Sequence, residues 1–243
     1  MESPLHHFEV HNIIPIQIAG FDFSINNAVV AMWVGLAIVV GSFMLAVSRG
    51  ISPIPGKLQS ILEISLEFIR SMVYEFIGED EGKKYVPFIA SLFLFILACN
   101  LIGLIPGSYT ITSQLAVTGA FAVGIFILTL VIGFGKQGMH FLGILVPPGV
   151  PKVMIPLMVP IEIISMLARP ISLAVRLFAN MTAGHTVLAV LFGLAMTGPL
   201  WLGWMPFGFT VVINGLEIAI AFIQAYIFTT LTCVYIGDVI KLH

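Results

Sequence analysis

The sequence predicts an all-α polytopic membrane protein: about five membrane-crossing helices, one amphipathic helix at the interface, and a last pair of helices that are long and tilted. Three observations carry that expectation. Of 243 residues, 59% are hydrophobic and only 9% charged, whereas soluble domains are about a quarter charged. Charge-free stretches of 26 residues (23–48) and 51 residues (85–135) each exceed the roughly 20 apolar residues that cross a bilayer core. Clusters such as Pro106-Gly107 and Pro147-Pro148-Gly149 fall between the apolar runs, where turns belong. The same composition excludes other classes. The chain is too apolar to be disordered, its two cysteines do not make a disulfide scaffold, and a net charge of −2 does not suit a nucleic-acid binder. Cys99 and Cys233 stand in apolar runs outside any Cys-x-x-Cys pattern and read as buried packing residues.

Residues 1–243 read as one integral membrane domain. Its first part, 1–25, is an outer N-terminal segment. It has no Lys or Arg before the first span and no apolar core ending in a small-residue cleavage site, so it is not read as a secretory signal peptide. His6, His7 and His11 are close enough to bind a metal, but a flexible tail is the commoner meaning of such a cluster, and no metal site is assigned. Span 1 covers 26–48. Over 57–77 the pattern changes: Ile61, Leu62, Leu66, Ile69, Met72, Val73 and Phe76 share one helical face and Glu63, Glu67 and Arg70 another, as in a helix lying at the interface. The charged run from Gly78 to Lys84 is a solvated turn. Span 2 (85–106) and span 3 (115–135) form a hairpin around the polar stretch that ends in Thr112-Ser113-Gln114. A Pro-rich loop leads to a long span 4 (153–196), and Gly198-Pro199 with Trp201 to Pro206 separates it from a long span 5 (207–240).

Short loops rich in Lys and Arg stay cytoplasmic. Arg49, Lys57, Arg70, Lys83, Lys84, Lys136, Lys152 and Lys241 all fall on one side of this arrangement, which puts the N-terminus outside and the C-terminus inside. Trp201 and Trp204 then suit the outer interface. The two remaining basic residues, Arg169 and Arg176, lie within span 4.

An arginine in the membrane costs roughly 2.5 to 3.5 kcal/mol on insertion scales, so it points to function by default. With about 100° per residue and Arg176 set at zero, Glu162 lies near +40°, Ser165 near −20°, Arg169 near +20°, Ser172 near −40° and Asn180 near +40°. Span 5 carries a matching seam, since Gln224 lies about −20° from Glu217 and Tyr235 returns to its azimuth. His185 projects near 180° from Arg176 on a regular helix. Two readings compete for these seams. They face each other and satisfy one another as interhelical hydrogen bonds and an ion pair, or they line a path for water and moving ions. The length of the polar stripe favours the second.

The run Ala168-Arg169-Pro170-Ile171-Ser172-Leu173-Ala174-Val175-Arg176-Leu177-Phe178-Ala179-Asn180-Met181-Thr182-Ala183-Gly184-His185 closely resembles the signature of subunit a of the F-type ATP synthase membrane sector. The stretch from Glu217 through Gln224-Ala225-Tyr226-Ile227-Phe228 to Tyr235 resembles that family's last helix, and Asn100-Leu101-Ile102-Gly103-Leu104-Ile105-Pro106 the end of an earlier span. The resemblance implies a stator subunit, itself without ATP chemistry, that passes protons to and from a rotating proteolipid c-ring. Its implied partners are that ring, peripheral-stalk b-type subunits, the soluble ATPase sector and membrane lipids, with no cofactor. Its implied place is an energy-transducing inner membrane, bacterial or organellar, with the C-terminus on the ATPase side.

By the same resemblance, Arg176 matches the essential arginine, Asn180 and Gln224 its polar neighbours, and Glu162 and Ser165 the cytoplasmic exit path. Arg169 stands where relatives carry lysine. Some members have Glu after Ala-Gly and His in the last helix; here the two are exchanged as His185 and Glu217. The implied mechanism is electrostatic. A rotor carboxylate stays neutral in lipid, because desolvation disfavours its charge, and ionises beside a fixed guanidinium with access to water. Two offset half-channels, an outer one through Glu217, His185, Asn180 and Gln224 and an inner one near Glu162 and Ser165, then force each proton to ride the ring. A proton falling through 100 mV releases roughly 2.3 kcal/mol. The alternative is a proton-coupled secondary transporter, which an inverted repeat would support; the sequence has none. A purely structural subunit leaves Arg176 and Glu217 without a purpose. Gly-rich phosphate loops, Gly-x-Ser-x-Gly and His-Glu-x-x-His are absent.

Overall fold

The computed structural model describes residues 12–15, 17–18, 21–22, 24–48, 56–105, 111–145, 151, 154–197 and 204–241. His6, His7, His11, Arg49, Lys152, Trp201 and most of the Pro-Gly loops lie outside the described residues, as does the side chain of Trp204.

Helices dominate. They are α1 (Asn27–Ser48), α2 (Lys57–Phe76), α3 (Glu79–Gly82), α4 (Val86–Gly103), α5 (Leu115–Gln137), α6 (Ile155–Thr197) and α7 (Trp204–Ile240). Five of them, α1, α4, α5, α6 and α7, are long and apolar enough to cross a membrane, where only a helix or closed barrel satisfies every backbone group. Ahead of α1 stand two short antiparallel ladders, β1 (Asn12–Ile14) with β4 (Ile25–Asn26) and β2 (Gln17–Ile18) with β3 (Phe21–Asp22). The sequence reading has no strands here, since two or three residues are too few for an alternating pattern to show. The ladder ends where Asn26 Oδ1 accepts from the Val29 amide at 3.0 Å and caps α1.

α7 is the hub, packed by α6, α4, α5 and α2. Ile69, Val73, Phe93, Leu177, Phe228 and Ile236 anchor the shared core. α2 buries Leu62, Ile69, Met72 and Val73 in it, while Ile61, grouped with them on the helical wheel, is exposed beside Ile64 and Phe68. Its apolar surface is therefore wider than one stripe, as suits a helix at a lipid boundary. α1 touches the bundle mainly through α4. There Gly35 lets Cys99 approach: a Cβ would stand 3.2 Å from Sγ. Both cysteines are free and buried.

The charged turn holds more structure than expected. Gly78, at φ 104°, turns the chain and Glu79, Asp80 and Glu81 open α3, where acidic groups suit the positive end of the helix dipole. Glu81 binds Lys84 at 3.5 Å and is bound by Lys136 at the end of α5. The Lys136 ammonium beside it holds the Glu81 carboxyl below the usual carboxylate range.

Candidate functional site between the two long helices

α6 stays helical across 43 residues despite Pro160 and Pro170. Each proline removes one amide donor from the ladder. Its partner, α7, runs antiparallel to it, because three contacts pair rising α7 numbers with falling α6 numbers: Glu217 with Gly184, Gln224 with Asn180, and Asp238 with Arg169.

At the middle level Asn180 Nδ2 donates to Gln224 Oε1 at 2.9 Å. The Gln224 side chain is fully enclosed, and its Nε2 has no hydrogen-bond partner among the described residues. Toward the C-terminal end of α6, Glu217 is 5% exposed. Its carboxylate fills the space where Gly184 lacks a side chain, and a Cβ on Gly184 would collide with it. Neither Glu217 oxygen has a hydrogen-bond partner among the described residues. His185, next along α6, is half-buried. Buried Asn100 donates from Nδ2 to the Ala221 carbonyl at 3.1 Å, one helical turn from Glu217. Asn100 Oδ1, Thr112 Oγ1 and Thr182 Oγ1 are likewise buried without partners among the described residues. Native proteins leave few such groups unsatisfied, so buried polar atoms without protein partners stand out in this part of the bundle.

At the opposite level Arg169 Nη1 lies 3.5 Å from Asp238 Oδ2, and its guanidinium carbon stands 5.4 Å from the centre of the Tyr235 ring. Arg176 lies between these levels. Its neighbours Leu173 and Leu177 are buried in the bundle while Arg176 itself is exposed. Among the described residues its guanidinium has no ion pair or hydrogen bond. The seams thus meet in part as the first reading has them, through Asn180–Gln224 and Arg169–Asp238, but Arg176, on the same stripe, is exposed and joins neither pair. At 1.5 Å per residue, Asn180 sits about 6 Å and Gly184 about 12 Å along α6 from Arg176; in the other direction Arg169 is about 10 Å, Ser165 about 16 Å and Glu162 about 21 Å away. Glu162 and Ser165 are half-buried, Ser172 exposed.

Sequence reasoning named most of this constellation and missed part of it. Asp238 follows Tyr235 by three residues, about 60° away on the wheel, so extending the α7 seam one more turn finds it. Asn100 is a lone amide in an apolar span, itself a signal. The roles of Gly184, Thr112 and Thr182 depend on helix packing and leave no sequence mark. Among the described residues, no three His, Cys, Asp or Glu side chains gather at metal-ligand spacing.

Two long antiparallel membrane helices, with a buried carboxylate, an amide pair and an exposed arginine along their seam, define a polytopic α-helical protein built to handle ions within the membrane. The model for the ATP synthase A chain matches residues 29–237. Curated relatives named ATP synthase subunit a include those of Magnetococcus marinus (52% identical, covering 99% of this chain and 94% of the relative) and Rhizobium leguminosarum bv. trifolii (48%, covering 98% and 97%). That of Rhodospirillum rubrum is 43% identical over the whole of both chains. This chain belongs to the ATP synthase subunit a family.

Proposed function

We propose that the chain is the stator half of a rotary proton machine, with two half-channels that end on opposite sides of Arg176. The observation that carries this reading is the separation along the seam. Buried, unpartnered Glu217, Gln224, Asn100 and Thr182 atoms lie to one side of Arg176, and Arg169, Tyr235 and Asp238, with Ser165 and Glu162 beyond, lie to the other. Water can satisfy the first group and so connect it to the outer face. The excess of Lys and Arg in the loops on that side supports a second group toward the inside, with the N-terminus outside. Exposed Arg176 then faces a rotating ring of small subunits, each with one carboxylate. It ionises each carboxylate as it passes, because an adjacent fixed cation favours the charged form. Protons enter from Glu217 and His185, ride the ring, and leave past Arg169 and Asp238.

The partners that follow are the proteolipid ring, b-type stalk subunits, the soluble ATPase and lipids, in a bacterial plasma membrane or an organellar inner membrane. ATP chemistry belongs to the soluble sector. Native mass spectrometry of the complex extracted in mild detergent tests the assembly. The expected result is one copy of this chain with a multicopy ring and an active ATPase. Recovery as a lone chain or homo-oligomer, under conditions that keep other membrane complexes intact, overturns the reading in favour of a self-contained transporter.

A further inference from the structure

The Arg169–Asp238 pair cannot hold its own geometry. Its separation of 3.5 Å is loose and its side chains are 37% and 50% exposed, conditions under which an ion pair contributes little. The residues on either side of Asp238 are nevertheless anchored. Gly237 packs against the last turn of α2, and a Cβ there would stand 2.6 Å from the Phe76 carbonyl oxygen, a contact only glycine permits without movement. Val239 lies in the last turn of α7, where carbonyls run short of intrahelical donors, and its carbonyl accepts from Gln137 Nε2 of α5 at 2.8 Å. Lys136, adjacent to Gln137, ties the end of α5 to Glu81 of α3. Two elements outside the α6–α7 seam, α2 and α5, thus converge on the two residues flanking Asp238, and α3 braces the end of α5.

We infer that the Phe76–Gly237 contact and the Gln137–Val239 hydrogen bond form a clamp that positions Asp238 against Arg169 and Tyr235 where protons leave the seam. Gln137 and Gly237 are its positioning residues. The inference rests on the inner half-channel proposed above. Released from the clamp, the last turn of α7 frays, Asp238 drifts from Arg169, and proton exit slows while the helices still assemble.

The test uses the whole complex in inverted vesicles, with ATP-driven pumping normalised to assembled complex. Gln137→Met keeps volume and loses the donor; Gln137→Lys restores an N–H of similar reach. Loss of the donor to Val239 is expected to slow pumping about fivefold in the methionine variant, and the lysine variant is expected to recover most of it. Equal pumping by Gln137→Met and the native chain overturns the clamp, as does failure of the lysine variant to recover. Gly237→Ala probes the other anchor and is expected to slow pumping to a similar degree; native pumping in that variant also overturns the clamp. Asp238→Asn separates the clamp from its premise. If it leaves pumping unchanged, the inner half-channel through Asp238 is wrong and the clamp's purpose falls with it. If it slows pumping while Gln137→Met does not, only the clamp is wrong.

Discussion

Arg176→Ala is expected to abolish ATP-driven proton pumping in vesicles that carry the assembled complex and to raise passive proton conductance. Removing a membrane-embedded guanidinium relieves an insertion cost of roughly 2.5 to 3.5 kcal/mol, and Arg176 makes no ion pair or hydrogen bond among the described residues that the change would break. The variant is therefore expected to assemble at native levels, so the loss belongs to function and not to folding. On the proposed mechanism, ring carboxylates then pass the stator protonated, and nothing separates the outer polar path from the inner one. Arg176→Lys keeps the charge but replaces a planar, weakly hydrated group with a compact, strongly hydrated one, and recovers only part of the flux. Fluorescence quenching by a pH-sensitive dye, with assembly followed in parallel, measures both effects. Coupled pumping at the native rate in Arg176→Ala removes Arg176 from the mechanism.

The second large effect is at Glu217. Glu217→Gln keeps size and hydrogen-bonding capacity but cannot take up or release a proton, and proton flux is expected to fall roughly a hundredfold, the scale of removing a positioned acid–base group. The packing on Gly184 supplies an independent handle. Gly184→Ala puts a methyl group into the Glu217 carboxylate, an overpacking that costs about 1 to 3 kcal/mol and displaces the acid. Shortening the acid in the same chain, as Gly184→Ala with Glu217→Asp, makes room for the methyl and restores part of the flux. Stopped-flow measurement of passive proton conductance through the stripped membrane sector gives the rates. Native flux in Glu217→Gln, or a double variant no better than Gly184→Ala alone, contradicts a proton-carrying Glu217 seated on Gly184.

Much of the fold was legible because lipid simplifies the code. A charge-free run longer than the bilayer is thick has to be a helix, so five crossings could be counted from the charges. The amphipathic α2 announced itself through Glu63, Glu67 and Arg70 on one face. The seams were visible for the same reason, since polar groups on a membrane helix stand out against an apolar background, and Asn180 and Gln224 do meet. What stayed hidden depends on other helices. That Arg176 stays exposed while Leu173 and Leu177 near it are buried depends on how α6 packs. The seat for Glu217 exists only because Gly184 comes opposite it, and the tie from Gln137 to Val239 joins residues 102 apart in sequence. The strands before α1 and the single turn of α3 are too short for any periodicity to announce them.

Side-specific chemical access in sealed vesicles tests the two half-channels most directly. Single cysteines replace Thr182, on the Glu217 side of Arg176, and Ser165, on the Asp238 side, in a chain whose Cys99 and Cys233 are serine, and a membrane-impermeant thiol reagent is applied from each face in turn. Two offset half-channels predict that the cysteine at 182 reacts only from the outer face and the one at 165 only from the inner face, each reaction blocking proton flux. Reaction of both from the same face, or of either from both faces in a complex that still pumps, contradicts them.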